Sequence, residues 1–220
     1  MLKKSVIITA GGIGKRMGTE LPKQFLLIKG KPIIFHTIQK FYDVDSEIEI
    51  IVVLPETSVP FWETLCQKYL FTLKHKVVVG GEERFHSIQN GLVETTGDII
   101  AVHDAVRPCV SKDVIRKCFV AAEKFGAVIP VLSITESLRK IEGENSNAVN
   151  RENFKLVQTP QCFKIGILQK AYRQPYSKLF TDDASVVEAD GNKILLVDGN
   201  RANIKITTPE DLKLAELFLD

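Results

Sequence analysis

Several things are missing from this chain, and each absence removes a class of function. Its four cysteines (Cys66, Cys109, Cys118 and Cys162) form no C-x-x-C pair, and its four histidines are as widely spread. That spacing argues against a zinc site and for reduced thiols in a cytoplasmic protein. Neither sign of charge dominates: 29 Lys and Arg stand against 27 Asp and Glu, a formal net charge of +2. Such a balance gives no coat for nucleic acid, and no run of like charge suggests a tail. No apolar stretch approaches the length of a membrane span. The opening Met-Leu-Lys-Lys lacks the apolar core and cleavage site of a signal peptide. Internal repeats and low-complexity segments are also absent.

What is present alternates. Strand-like apolar runs cover 6–10, 48–54, 76–79, 98–103 and 127–132, with helical spacing over 32–42, 59–70, 84–94 and 111–125 between and after them. Hydrophobic residues make up 45% of the chain, ample for the core of one domain over 1–220. The alternation predicts an α/β fold of three layers, a mostly parallel sheet covered on both faces. Ligands of such sheets bind beyond the carboxyl ends of the strands. Residues 133–150 break the rhythm. They are polar and read as a protruding β-arm, a hairpin with a Gly-Glu-Asn-Ser tip. Beyond it come a short run over 155–163, helices over 165–174 and 181–189, and strands over 193–197 and 203–206. Thr208-Pro209-Glu210-Asp211 opens a last helix, with a cap, a proline and two acids.

The first strand runs into Gly11-Gly12-Ile13-Gly14-Lys15-Arg16-Met17, followed by Leu21-Pro22-Lys23-Gln24. This is not a dinucleotide fingerprint, because Met17 stands where the third glycine belongs. Nor is it a P-loop, because Arg16 follows Gly14-Lys15 where Ser or Thr is needed. Cations at a nascent helix N-terminus oppose its dipole, and an anion bound between them and the glycine amides reverses that penalty. A nucleoside triphosphate suits such a loop; a plain turn with solvated Lys and Arg is the alternative. Gly80-Gly81 opens a second loop, with Ser87 one turn into the following helix; it presents backbone to a base or sugar, or is an ordinary β-α turn. His103-Asp104-Ala105-Val106-Arg107-Pro108 ends a strand. Asp104 there either ligates Mg²⁺ or caps the turn and pairs with Arg107. Lys205, in the strand pattern 203–206, points away from Ile204 and Ile206, as an exposed strand lysine does.

In chain order these segments are joined by Thr159-Pro160-Gln161, Thr181-Asp182-Asp183-Ala184-Ser185 and Asn203-Ile204-Lys205 with Thr208–Asp211. The ordered set resembles the 2-C-methyl-D-erythritol 4-phosphate cytidylyltransferase family over nearly the whole chain. The resemblance implies a homodimer joined through arms at about 133–155. It implies that CTP contacts Ala10, Gly11, Gly12, Gly14, Gly81, Arg84, Ser87, Asp104 and Ala105, with Arg16 and Lys23 catalytic and Asp104 holding Mg²⁺. Arg107, Thr159 and Lys205 would hold the methylerythritol phosphate, joined by Ser137 and Arg151 from the partner. Thr9-Ala10-Gly11-Gly12 stands where many members carry Ala-Ala-Gly, Ser137 where Thr is usual, and Glu82 where Asp is frequent. The glycine loop and His103–Pro108 also resemble ribitol-5-phosphate cytidylyltransferases, which leaves a second polyol phosphate open as acceptor. A catalytically silent nucleotide-binding protein is the reading outside the enzymes.

Overall fold

A computed structural model describes residues 2–12 and 21–219. The first strand, β1 (Lys4–Thr9), is followed by the short pair β2 (Leu27–Ile28) and β3 (Lys31–Pro32), helix α1 (Ile33–Tyr42) and β4 (Glu49–Leu54). Next come α2 (Val59–Lys68), β5 (Lys76–Val79), α3 (Arg84–Val93), β6 (Ile99–Asp104), α4 (Lys112–Phe125) and β7 (Ala127–Ser133). The remaining elements are β8 (Leu138–Glu142), β9 (Asn145–Val149), β10 (Lys155–Val157), β11 (Gln161–Lys164), α5 (Ile165–Ala171), α6 (Asp183–Ala189), β12 (Leu195–Asp198) and α7 (Pro209–Phe218).

The main sheet has the order β10-β7-β11-β6-β1-β4-β5. Pairings β6–β1, β1–β4 and β4–β5 are parallel, and β11 runs antiparallel between β6 and β7. Val128 and Val131 of β7 each meet β12 in parallel while also pairing with β11 or β10. β12 therefore occupies the other edge of β7. Successive side chains of a strand leave opposite faces, and β1 shows the result. Val6 and Ile8 pack with Ile38 and Phe41 of α1, Trp62 of α2 and Ile115 and Phe119 of α4. Ile7 packs with Ile88 of α3, Leu168 of α5 and Val187 of α6. Two helical layers thus enclose one mostly parallel sheet, the three-layer arrangement expected from the alternation. Because β1 is buried on both faces, it reads as a continuous apolar run.

Two sequence expectations need correction. Residues 203–206 form no strand. The segment leaves a turn, with the Ile204 amide donating to the Ala202 carbonyl at 2.8 Å, and the Ile206 amide donates to the Val106 carbonyl at 3.0 Å, without a ladder to any described strand. The run over 155–163 is broken into β10 and β11 by Gln158-Thr159-Pro160, whose Thr159–Pro160 bond is cis. In the polar segment, β8 and β9 pair, among the described residues, only with each other, Leu138 opposite Val149 and Glu142 opposite Asn145. Gly143 turns the hairpin at φ +63°, the positive φ that such a tight turn needs at its first position. Among the described residues no helix is long and apolar enough to cross a membrane.

Candidate active site

Strand register brings the candidate residues to one edge. Thr9 of β1 lies beside Asp104 of β6 and Val53 of β4, and Leu54 lies beside Val79 of β5. The loops that follow open onto a cavity of about 290 Å³. Ala10, Gly11, Gly12, Lys23, Gly81, Arg84, Ser87, Asp104, Ala105 and Lys205 all line it. Gly14 and Arg16, with Lys15 between them, lie outside the described residues.

Local chemistry fixes each loop. The Ala10 amide donates to the Val53 carbonyl at 2.9 Å, and Nε2 of buried Gln24 donates to the Ala10 carbonyl at 2.6 Å. Gln24 shares a short 3₁₀ turn with Lys23, so this contact also carries Lys23 into the cavity. In the second loop a Cβ on Gly81 would sit 2.4 Å from Cβ of His86, so the backbone closes on α3 only without a side chain. The Gly81 amide donates to Oγ of Ser87 at 3.1 Å. Ser87 thus holds the shape of the loop it borders.

Charge gathers on two carboxylates. Asp104 Oδ2 accepts from Arg107 Nε at 3.0 Å and pairs with Lys205 Nζ at 3.2 Å. Burial would raise the Asp104 pKa, but Lys205, Arg107 and Arg84 together hold it well below the usual carboxylate range. Arg84, the first residue of α3, gives a two-pronged contact to fully buried Asp183, Nη1 to Oδ1 at 3.0 Å and Nη2 to Oδ2 at 2.6 Å. Tyr172 Oη donates to Asp183 Oδ1 at 2.6 Å. Burial pushes the Tyr172 hydroxyl pKa upward, and the Asp183 charge adds to it, so this proton stays on the phenol.

The arrangement is an anion cradle: backbone glycines, cations and one stripped carboxylate around a cavity. The family model for 2-C-methyl-D-erythritol 4-phosphate cytidylyltransferase matches residues 5–220. The chain belongs to this family. It is 50% identical over 219 residues to the protein of that name from Phocaeicola vulgatus, a match covering 99% of this chain and 100% of the relative. To the Bacillus mycoides protein of the same name it is 42% identical over 219 residues, 98% of this chain and 97% of that one. Two crystal structures under the family name are similar throughout. The Francisella tularensis structure has a TM-score of 0.80 at 35% identity, covering 99% of this chain and all of its own. The Thermus thermophilus structure has a TM-score of 0.81 at 32% identity, covering 100% and 99%.

Within this cytidylyltransferase fold, four expected residues stand apart from the cavity lining. Arg107 and Thr159 are buried behind Asp104. Ser137 and Arg151 are exposed at the two ends of the hairpin, where Arg151 Nη1 donates to the Thr135 carbonyl. Lys205 does reach the cavity, although not from a strand. Sequence reasoning missed Gln24, Asp183 and His103 as parts of the site. A signal existed for Asp183. Of two adjacent acids opening α6, Asp182 caps the helix by accepting from the Ser185 amide, so its neighbour must face elsewhere. Gln24 had no such signal, because its value lies in a backbone carbonyl fourteen residues earlier.

Proposed function

We propose that this chain transfers the cytidylyl group of CTP to 2-C-methyl-D-erythritol 4-phosphate and releases pyrophosphate. It does so as a single nucleotidyltransferase domain with a dimerisation arm at about 133–155. The observation that carries this is the entry of Lys23 and Lys205 into one cavity with both glycine loops and Asp104. CTP lies along Ala10–Gly12, Gly14, Gly81, Arg84, Ser87 and Ala105. A phosphate oxygen of the acceptor attacks the α-phosphorus. The new O–P bond forms as the bond to the β-phosphate oxygen breaks, and the electron pair leaves with pyrophosphate. The nucleophile is already an anion at neutral pH, so no general base is needed. The work left to the protein is positioning and charge stabilisation, by Lys23 and Arg16 at the α-phosphate. The acceptor sits at the Asp104–Lys205 end, backed by Arg107 and Thr159.

The donors present fit Mg²⁺. No three His, Cys, Asp or Glu come together among the described residues, but Asp104 faces the cavity as a carboxylate kept ionised. Mg²⁺ is commonly held by one or two carboxylates plus substrate phosphates. Bound there with the triphosphate, the ion would neutralise phosphate charge. None of the four cysteines is in a disulfide among the described residues, which suits a cytoplasmic location. Ser137 and Arg151, away from their own cavity, belong on this proposal to the acceptor site of a partner in a homodimer.

The test is pyrophosphate release by the purified protein with CTP and Mg²⁺ across a panel of polyol phosphates. Turnover is expected with methylerythritol phosphate, and Lys23→Ala should lower it by about 10²–10³. Turnover with ribitol 5-phosphate and none with methylerythritol phosphate would overturn the acceptor assignment.

A further inference from the structure

A second cavity, of about 220 Å³, shares no lining residue with the first. It lies between β3 and α1 on one side and the segment leaving α2 on the other. Its floor is aromatic. Phe35 and Phe71 stack at 4.0 Å between centroids and 10° between planes, and Tyr69 meets Phe35 edge-on at 5.9 Å. Phe35 is buried, but Phe71 and Tyr69 are only half-buried and keep part of their ring surface open.

The rim is cationic. Lys31 and His36 line the cavity, and His36 Nε2 donates to the Ile28 carbonyl at 2.9 Å. Burial lowers the His36 pKa, and Lys31, Lys40 and Lys29 push it the same way against that carbonyl, so all three ammonium groups act on this rim. Among the described residues no carboxylate pairs with any of these three lysines. Asp43, the acid just beyond α1, is taken by Lys112 Nζ at 3.0 Å. Lys68 Nζ lies 5.5 Å over the Tyr69 ring and brings a fourth cation beside the floor. The hydroxyls of Tyr69 and Thr72, both in the lining, take no hydrogen bond among the described residues.

Leu70 supplies an independent sign. It lines the same cavity at φ +49°, with its side chain 82% exposed. A leucine at positive φ is strained, and so exposed a side chain gains little packing in return. A ligand seated in the cavity would cover it.

Small-molecule sites are mostly apolar, with a few polar groups that fix orientation. A half-open aromatic floor takes a flat ring, by offset stacking or edge contact, and unpaired lysines take a negative charge. The cavity, at about 220 Å³, is smaller than the roughly 300 Å³ at which drug-sized pockets begin. One ring with its charged group is the size that fits. We propose that this cavity is a second ligand site, apart from the site of cytidylyl transfer, for a small aromatic anion whose ring rests on Phe71 and Tyr69 and whose charge meets Lys31.

Benzoate is the probe, added to the full-length protein with and without CTP. Amide NMR shifts should saturate at residues 31–39 and 69–73, with a Kd of about 1 mM in both cases. Fluorescence of Trp62, the one tryptophan of the chain, should follow the same curve. Its buried ring meets Phe35 edge-on at 5.4 Å and lies 6.1 Å from Phe71. Acetate has the charge without the ring, and benzyl alcohol the ring without the charge; each should bind at least about tenfold more weakly. Lys31→Glu changes an exposed residue outside the first cavity. It should weaken benzoate about tenfold with turnover unchanged. Leu70→Gly should weaken benzoate about threefold, through lost apolar contact. No saturable shift up to about 20 mM, or shifts confined to residues 10–12 and 81–87, would overturn the site. So would acetate or benzyl alcohol binding as tightly as benzoate, or Lys31→Glu binding it as the wild type does. Binding is read without turnover, so failure of the cytidylyl-transfer reading would leave this result untouched.

Discussion

Arg84 is placed where a cation is unwelcome, at the first turn of α3, where the helix dipole is positive. Asp183 answers it from the first turn of α6, a position that favours an anion. The pair is bidentate, the geometry a guanidinium and a carboxylate make best. Asp183→Asn keeps the shape and removes the charge, leaving Arg84 uncompensated. A fully buried pair broken this way costs about 3–5 kcal/mol. Because the Arg84 side chain is 35% exposed, about 2–3 kcal/mol is expected here, allowing for solvent screening. Urea denaturation measures it, and a variant unfolding at the wild-type midpoint would refute the assignment. At this scale the sequence was easiest to read where a residue bears on the cavity by its own charge. Lys23 and Asp104 could be singled out by charge and place, whereas Lys205 passed for an exposed strand lysine and entered only through the family resemblance. Gln24 and His103 could not, because each works through a partner brought near only by folding, and Asp183 left its trace only in the cap that its neighbour Asp182 makes.

Single elements were the most legible part. Helix α4 begins at Ser111, whose side chain accepts from the Val114 amide, and α7 begins with a reciprocal capping box between Thr208 and Asp211. Both were written in the residue types at the right offsets. The false strand over 203–206 has a plain cause. One polar residue between two apolar ones shows alternation whether or not a ladder forms, and here the segment is held by single bonds instead, the Ile206 amide on the Val106 carbonyl and the Asn203 side chain on the Thr159 carbonyl. The end of α2 shows a local compromise that no pattern announced. The Leu70 amide donates to the Gln67 carbonyl at 3.2 Å and the Phe71 amide to the Cys66 carbonyl at 2.9 Å. This closing motif puts Leu70 at φ +49°, where glycine is preferred, with the side chain 82% exposed. Leu70→Gly should relieve the strain at little cost in packing and stabilise the protein by about 0.5–1 kcal/mol. Calorimetric melting will show this as a small rise in Tm; an unchanged or lower Tm would count against it.

For the whole molecule, β-α alternation was enough to foresee a parallel sheet between two helical layers. It could not foresee β11 entering antiparallel between β6 and β7, since that place is decided by neighbours distant in sequence. The proposed dimer also belongs to this scale. Beside the hairpin, Phe154, Leu156 and Val157 expose roughly half of their apolar side chains, and Ile141 is exposed on the hairpin itself. Sedimentation is expected to give a dimer, and Leu156→Glu a monomer with much reduced turnover, because Ser137 and Arg151 would no longer reach a partner. A monomeric, active wild type would dismiss the arm's role. The central strand has one more consequence. β1 lies between β6 and β4, Ser5 to Ile8 are all buried, and the first glycine loop hangs directly from its end. No local fraying can release that loop at its root while the middle of the sheet stays closed. Heat or denaturant should therefore extinguish nucleotide binding and secondary structure in a single cooperative transition, with no populated state that is folded yet blind to CTP.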